Sequence, residues 1–243
     1  MIHIPEKKLN LLLPWKCASQ TLQLRLKAYA KPKYPKLFYY NSYLNRVCQQ
    51  HLELGGFLAL PESKIGYALA VFVRNPYDRV YSGFHQLIRD IKVIPTLQFK
   101  DQWVKDLVLS DIAANHKTLH DAQFDVNNWF SMIRPYEILE SGRNTCFNLH
   151  PASYWTHSNG SLIPNFIGHV ESFEECFLRL TNRFGIQCNS LGNANVANPN
   201  FKHLDRTNYQ YIDHFDVNTI SKINALFHDD FMNFGYEKIN RIN

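Results

Sequence analysis

The stretch Ala70-Val-Phe-Val-Arg-Asn-Pro-Tyr-Asp-Arg-Val-Tyr-Ser-Gly-Phe84 carries the pattern that decides the fold of this chain. The apolar run Leu69–Val73, rich in β-branched residues, predicts a buried strand. Asn75-Pro76 predicts a helix start, because the first helical turn does not use the N–H that proline lacks. Arg74 is therefore predicted to end a buried strand, at the edge where open α/β sheets bind their ligands.

Ser82 extends this pattern into the predicted helix. It lies two helical turns beyond Asn75, so its hydroxyl can share one anion with the Arg74 guanidinium. We interpret Arg74 and Ser82 as a candidate phosphate clamp. A structural alternative has Arg74 capping a backbone carbonyl or pairing with Asp78, while Ser82 faces solvent. The motif alone leaves both interpretations open.

The first strand and the turn after it form a second candidate anion site. Residues Lys8–Pro14 predict a strand, and an apolar helical pattern follows at Leu22, Leu24 and Leu26. The N–H groups and dipole of a helix N-terminus favour an anion, and Lys16 adds a positive charge. The turn has neither the Gly-x4-Gly-Lys-Ser/Thr pattern of ATP-binding loops nor the Gly-x-Gly-x-x-Gly pattern of dinucleotide folds. A plain helix cap by Ser19 is the structural alternative.

Together, the two elements resemble the phosphosulfate-binding loop and the 3′-phosphate-binding motif of sulfotransferases that use PAPS (3′-phosphoadenosine 5′-phosphosulfate). The similarity is to the Golgi carbohydrate sulfotransferases and their bacterial relatives. Their loop, Pro-Lys-x-Gly/Ala-Ser/Thr-x-Ser/Thr-Leu, resembles Pro14–Leu22, with Trp15 inserted before Lys16 and Gln20 in place of a small residue. Their Val-Arg-Asp/Asn-Pro-Tyr-x-Arg-Leu-x-Ser motif resembles Val73–Ser82.

The resemblance continues toward the end of the chain. Asn165–Phe173 is similar to the family's Asp-Phe-Ile-Gly-Arg-x-Glu-x-Leu strand and turn, and a helix is predicted over Glu174–Phe184. Leu226–Tyr236 is similar to the closing Leu-Tyr-x-x-Asp-Phe-x-x-Phe-Gly-Tyr. These blocks follow one another in the family's order and span most of the chain.

The resemblance implies a reaction and a role for each candidate residue. It implies in-line sulfuryl transfer from PAPS to a hydroxyl of a saccharide or glycan-like acceptor, without a metal. The 5′-phosphosulfate would be held by the loop, which comprises Lys16, Cys17, Ala18, Ser19, Gln20 and Thr21. Lys16 would also neutralise the charge that builds on the bridging oxygen. Arg74 and Ser82 would hold the 3′-phosphate.

The acceptor hydroxyl also needs a general base, and histidine suits that task near neutral pH. His51 lies between the two anion-binding elements, in the interval where several relatives carry a catalytic His or Glu. We take His51 as the candidate base. Glu53 and His85 are the alternatives.

Length and element order predict the fold class. A chain of 243 residues with 45% hydrophobic content can bury one sizeable core. Strand–helix–strand repetition predicts an α/β fold with a mainly parallel central sheet flanked by helices on both faces, in the P-loop-like sulfotransferase class. We expect a single domain over residues 1–243.

Composition bears on partners and location. The net charge is +5, and lysines cluster in a segment rich in proline and tyrosine, namely Lys27, Lys31, Lys33 and Lys36. Such a cluster suits nucleic acid, an anionic donor or glycan, or plain solvation; we expect no nucleic-acid partner. The five cysteines are scattered without metal-site spacing. With a first strand near residue 1 and no membrane-spanning apolar run, we expect a cytoplasmic enzyme.

Two other functions remain as alternatives: a P-loop-like nucleotide-dependent kinase and a non-catalytic nucleotide-binding module of the same fold.

Local patterns predict helices over residues 43–54, 100–114 and 217–231, with Trp103 on the apolar side of the second. Residues 117–163 are predicted to be irregular and to form much of the acceptor wall, apart from a hairpin turn at Asn159-Gly160 that joins strands at Tyr154-Trp155 and Leu162-Ile163. Four aromatic residues could stack on sugars or belong to the core: Trp129, Tyr136, Tyr154 and Trp155.

Overall fold

The computed structural model describes residues 1–30, 38–49, 51–99, 101–134, 149–187 and 210–240. The chain forms two compact units. The first comprises Met1–Arg74 and Ala152–Tyr209, and the second comprises Asn75–Pro151 and Gln210–Asn243. The single domain predicted over the whole chain stays a prediction.

The described part of the first unit contains a central sheet and two two-stranded sheets. Its described strands are β1 (Ile2–Ile4), β2 (Leu9–Leu12), β3 (Phe38–Asn41), β4 (Arg46–Gln49), β5 (Ala68–Val73), β6 (His157–Ser158), β7 (Ser161–Leu162) and β8 (Phe166–His169). Its described helices are α1 (Ser19–Arg25), α2 (Leu54–Ala59), α6 (Ser153–Thr156) and α7 (Phe173–Phe184), with 3-10 turns at Pro5–Lys7 and Pro61–Ile65.

The central sheet has the order β1-β2-β5-β8. β2, β5 and β8 are parallel, and β1 is antiparallel to β2. Leu11 pairs with Ala70, which pairs in turn with Phe166. Parallel neighbours need long crossovers, which the intervening helices provide. The α/β fold with a mainly parallel sheet, predicted from sequence, is confirmed.

One face of the sheet packs against α1 and α7. Leu11 and Phe72 from the strands share a buried cluster with Leu22 of α1 and Leu180 of α7. Side chains of the alternate set are buried as well, for example Val71. Burial of both sets explains why a parallel strand reads as a continuous apolar run.

Gly168 in β8 is required by a close approach. A Cβ at this position would lie 2.6 Å from Cε1 of the Phe72 ring on the neighbouring strand β5. No side chain fits there while the ring stays in place, so the glycine lets the two strands pair beneath a large aromatic residue.

The second unit is built from helices in its described part. They are α3 (Pro76–Val93), α4 (Gln102–Asp121), α5 (Val126–Met132), α8 (Val217–Leu226) and α9 (His228–Phe234), with 3-10 turns at Ile94–Thr96 and Gln210–His214. Their core is one buried cluster that includes Tyr77, Phe84, Trp129 and Phe231. Asn75 begins α3 as predicted, with its side chain accepting the Tyr77 N–H at 3.0 Å.

Several local predictions were wrong. Residues 43–54 are not one helix, because β4 pairs with β3 across a hairpin and α2 begins only at Leu54. The helix predicted over 100–114 runs over Gln102–Asp121; it buries Val104 and Val108 and leaves Trp103 50% exposed. The helix predicted over 217–231 divides into α8 and α9 at Phe227.

The region predicted to be irregular, 117–163, contains the end of α4 together with α5 and α6. Its hairpin turn is confirmed: Asn159 and Gly160 both have positive φ, 49° and 74°, as a type I′ turn requires. The turn joins His157–Ser158 to Ser161–Leu162. The strand predicted at Tyr154-Trp155 was wrong, because both residues lie in α6. Within the described ranges, no helix combines the length and the apolar character that a membrane span needs.

Candidate active site

The loop between β2 and α1 has an unusual backbone. Lys16 and Ala18 adopt left-handed conformations, with φ of 62° and 59°. Each such non-glycine residue costs about 1–3 kcal/mol, so surrounding contacts must hold the conformation. The Cys17 N–H donates to the Pro14 carbonyl at 3.3 Å, and the first bond of α1 runs from Leu22 N–H to Ala18 O at 3.0 Å.

Arg74 contacts this loop directly. Its Nη1 donates to the Lys16 carbonyl oxygen at 2.9 Å, and the residue is only 9% exposed. The contact arises because β2 and β5 are parallel neighbours, with Leu12 opposite Val71, so their carboxyl ends lie side by side. The structure therefore brings Arg74 to the Lys16 backbone. The sequence allowed Arg74 to cap a backbone carbonyl, and the carbonyl that it caps belongs to the loop.

His51 and Trp15 pack against each other beside the same loop. Their rings stack with centroids 4.3 Å apart and an interplanar angle of 26°. His51 Nδ1 lies 2.6 Å from the Leu13 carbonyl oxygen, so this nitrogen carries the proton. The indole N–H of Trp155 donates to the His51 carbonyl at 3.3 Å. Trp15, inserted relative to the family's loop, thus has a defined partner.

Burial changes the titration of His51. The residue is 3% exposed, and this burial lowers the pKa of His51 from 6.5 to about 3. The Leu13 hydrogen bond opposes the shift, whereas the positive charge of Lys16 adds to it. His51 is therefore neutral near pH 7, but its pKa lies well below the value at which a general base works best. Its catalytic role stays a prediction.

The remaining loop residues differ in exposure. Cys17 is fully buried, and its thiol donates to the Trp15 carbonyl at 3.4 Å. Ser19 and Thr21 are half-buried in the first turn of α1, and Gln20 is exposed. The N-cap residue of α1 is Ala18, whose side chain makes no capping hydrogen bond. Ser19 is the first helical residue, so the Ser19 cap that the sequence allowed is not formed.

The other predicted residues occupy different surroundings. Ser82 is half-buried on α3 in the second unit, so its part in a clamp stays a prediction. Glu53 forms an ion pair with Arg46. His85, also on α3, has ring centroids 4.5 Å from Tyr81 and 5.4 Å from Phe84.

The aromatic candidates for sugar stacking differ in how deeply they are buried. Trp129 and Trp155 are buried core residues, whereas Tyr154 is 37% exposed. Several residues named in the sequence predictions lie outside the described residues: Lys31, Lys33, Lys36 and Tyr136.

A buried ion pair in the second unit was missed by the sequence reasoning. Arg79 Nη2 lies 3.4 Å from Asp230 Oδ2, and both side chains are 1% exposed. The guanidinium also lies 5.1 Å from the centre of the Phe227 ring. The pair joins the Val73–Ser82 block to the Leu226–Tyr236 block. Each block carries other charged residues, such as Asp78 and Asp229, so the sequence did not single out Arg79 and Asp230 as the buried pair.

Comparison with known proteins agrees with this geometry. The model of a family described as the sulfotransferase family matches residues 7–237. Searches of curated proteins and of solved structures gave no match. The family match begins before β2 and ends after α9, so it includes the Lys16 loop, the end of β5 and both blocks joined by the buried ion pair. The chain therefore belongs to the sulfotransferase family.

Proposed function

We propose that this transferase uses PAPS as its donor and a hydroxyl of a saccharide or glycan-like molecule as its acceptor. The observation that carries the proposal is the hydrogen bond from Arg74 to the Lys16 carbonyl. It joins two cationic residues at the ends of neighbouring parallel strands, where α/β folds bind ligands. Family membership supports sulfuryl transfer, and the basic loop supports a polyanionic donor.

The residues present fit such a donor. Lys16 is half-buried, so part of the residue remains open to solvent and to a ligand. The first-turn N–H groups of α1, on Ser19, Gln20 and Thr21, precede the first intrahelical bond at Leu22. Backbone N–H groups and a lysine are a donor set that suits phosphate and sulfate oxygens. Arg74 and Ser82 are assigned to the 3′-phosphate.

The chain's part in the chemistry is mainly electrostatic. PAPS would supply the sulfuryl group: an S–O bond forms to the acceptor oxygen as the bond to the 5′-phosphate breaks, the hydroxyl proton leaves, and adenosine 3′,5′-bisphosphate is released. Lys16 stabilises the charge that develops on the bridging oxygen, and the loop N–H groups orient the transferring group. No metal is needed in this scheme, because the sulfuryl group carries less charge than a phosphoryl group.

The proton from the acceptor requires a base. With its Nδ1 proton directed at Leu13, His51 has Nε2 as its basic nitrogen. Its neutral state suits a base, whereas its pKa of about 3 weakens the driving force for taking a proton. Glu53 is held by Arg46, and His85 lies in the second unit. These are the three base candidates.

A transfer assay tests the proposed function. The protein is incubated with PAPS carrying labelled sulfate and a library of hydroxyl-bearing acceptors, and products are identified by mass spectrometry. We expect Lys16→Ala to lower turnover more than donor affinity, because its charge matters most as the bond breaks. Lys64→Ala removes an exposed lysine of the same unit and serves as the matched control. Equal losses of turnover and affinity would contradict the role of Lys16.

Calorimetry separates the alternatives. A sulfotransferase binds adenosine 3′,5′-bisphosphate in preference to ADP. Preference for ADP with magnesium would indicate the kinase instead. Binding of the bisphosphate without turnover on any acceptor would indicate the non-catalytic module.

A further inference from the structure

We propose that Trp15 and His51 form a support that fixes the conformation of the Lys16 loop. In this assignment His51 is a positioning residue, which acts through the loop, and not the general base. The assignment rests on the proposed function wherever turnover is the readout. The part that concerns loop conformation is independent of the reaction.

The backbone conformation of the Lys16 loop is strained. Residues 13–18 contain no glycine, yet Lys16 and Ala18 are both left-handed. A non-glycine residue in this conformation is strained and keeps it only where the surrounding structure holds it. A loop with this strain relaxes unless contacts at several points hold it. Relaxation would move the Lys16 ammonium group away from the position that the backbone imposes.

Side chains outside the loop hold it at two points. His51 holds the start of the loop through the Leu13 carbonyl, and Arg74 holds the Lys16 carbonyl. Between these two points, the Trp15 ring packs on the His51 ring. The His51 imidazole thus makes two contacts with the loop, one polar and one through its ring face. The residue immediately before Lys16 is the one it stacks on.

His51 is itself held in place by a buried residue. Its carbonyl accepts the indole N–H of Trp155, a fully buried residue that follows Tyr154 at the start of α6. The support therefore extends from the buried core to the loop through consecutive direct contacts. His51 therefore gives the loop both a hydrogen bond and a buried ring face.

The surroundings of His51 suit a positioning residue better than a general base. A general base must reach the acceptor hydroxyl, whereas His51 is 3% exposed, with one ring face on Trp15 and Nδ1 on Leu13. The groups whose positive charge disfavours the imidazolium form are the Met1 amino group and Lys16. Burial lowers the pKa of the Met1 amino group to about 5, so near pH 7 Lys16 is the one that carries its charge. Both features suit a neutral support better than a group that accepts a proton in each turnover.

The test uses two amide substitutions that differ in geometry. In His51→Asn the amide N–H takes the place of Nδ1 and can still donate to the Leu13 carbonyl, whereas in His51→Gln it takes the place of Nε2. We expect His51→Gln to lose about 10–100-fold more kcat than His51→Asn, because only His51→Asn keeps the Leu13 hydrogen bond and the loop in His51→Gln shifts by up to an ångström. A general base would lose about 10²–10⁴-fold in both variants.

Two further readouts separate positioning from a merely structural role. The acid limb of the kcat profile should be the same in wild type and His51→Asn, since His51 is not the titrating group. Trp15→Phe should retain most of kcat through its remaining ring, and Trp15→Ala should lose kcat while KM for an acceptor stays within about threefold. Loss of the acid limb in His51→Asn would overturn the assignment.

Hydrogen exchange tests the support without any reaction. Amide exchange in the peptide covering residues 13–22 should be faster in His51→Gln and Trp15→Ala, and near the wild-type rate in His51→Asn and Trp15→Phe. If wild type neither binds nor uses PAPS but this order holds, the proposed function fails and the support stands. If all the variants exchange like wild type, the support is refuted.

Discussion

Arg74→Met separates the two tasks of Arg74, one seen in its contact with the Lys16 carbonyl and one proposed at the 3′-phosphate. Methionine keeps an apolar stem of similar length and removes the charge and the N–H donors. A hydrogen bond from a charged donor contributes about 1.5–3 kcal/mol, and the low exposure of Arg74 places this contact within that range. For a chain of this size, that loss lowers Tm by roughly 3–12 °C.

The same substitution should change nucleotide affinity selectively. If Arg74 binds the 3′-phosphate, losing a charged contact of about 1.5–3 kcal/mol weakens adenosine 3′,5′-bisphosphate by about 10–150-fold. AMP has no 3′-phosphate, so it should lose less affinity than the bisphosphate, and only through the loosened loop. Calorimetry with both nucleotides measures this difference.

Arg89→Met is the matched control, because Arg89 is an exposed arginine of α3. It should change neither Tm nor the ratio of the two affinities by more than the experimental error. Equal weakening of adenosine 3′,5′-bisphosphate and AMP in Arg74→Met would refute the 3′-phosphate role. Arg74 would then act only through the Lys16 carbonyl.

Three further predictions concern stability. Gly168→Ala places a Cβ against the Phe72 ring and should cost about 1–3 kcal/mol in urea unfolding; an unchanged midpoint would contradict the close approach. Asp230→Ala leaves Arg79 buried without its partner and should cost about 3–5 kcal/mol, whereas Arg79→Met with Asp230→Leu should recover most of that loss; equal losses in both proteins would argue against the pair. His51 has a pKa lowered from 6.5 to about 3 on folding, so its protonation favours the unfolded chain and its contribution falls as pH drops from about 6.5 to about 3. The stability advantage of wild type over His51→Asn should therefore shrink by at most about 1.4 kcal/mol per pH unit in that window, and a constant advantage would contradict the buried neutral state.

Local patterns predicted the elements whose cause is local. The run ending at Val73, the helix start at Asn75-Pro76 and the turn at Asn159-Gly160 follow from β-branched side chains, the proline ring and positive φ. Helix limits failed where packing decides them. Trp103 was placed on the buried side of α4, but the second unit buries Val104 and Val108 instead.

The candidate site shows the same division. Lys16 and Arg74 were predictable as neighbours, because both follow strands of a parallel sheet and such strand ends meet at one edge. Residues 43–54, which include His51, were predicted as one helix, yet Arg46–Gln49 form β4 because their backbone pairs with β3. With the wrong element, the position of the His51 ring could not be inferred.

The sequence by itself determined the strand ends, the order of the family's blocks and the charges that the loop carries, since each depends on residues close together in the chain. Only the tertiary structure decided that Arg74 holds the Lys16 carbonyl, that Trp15 lies on His51 and that Arg79 is buried against Asp230. The physical reason is that burial and desolvation are set by residues distant in sequence. A pattern in one segment does not record what will cover it.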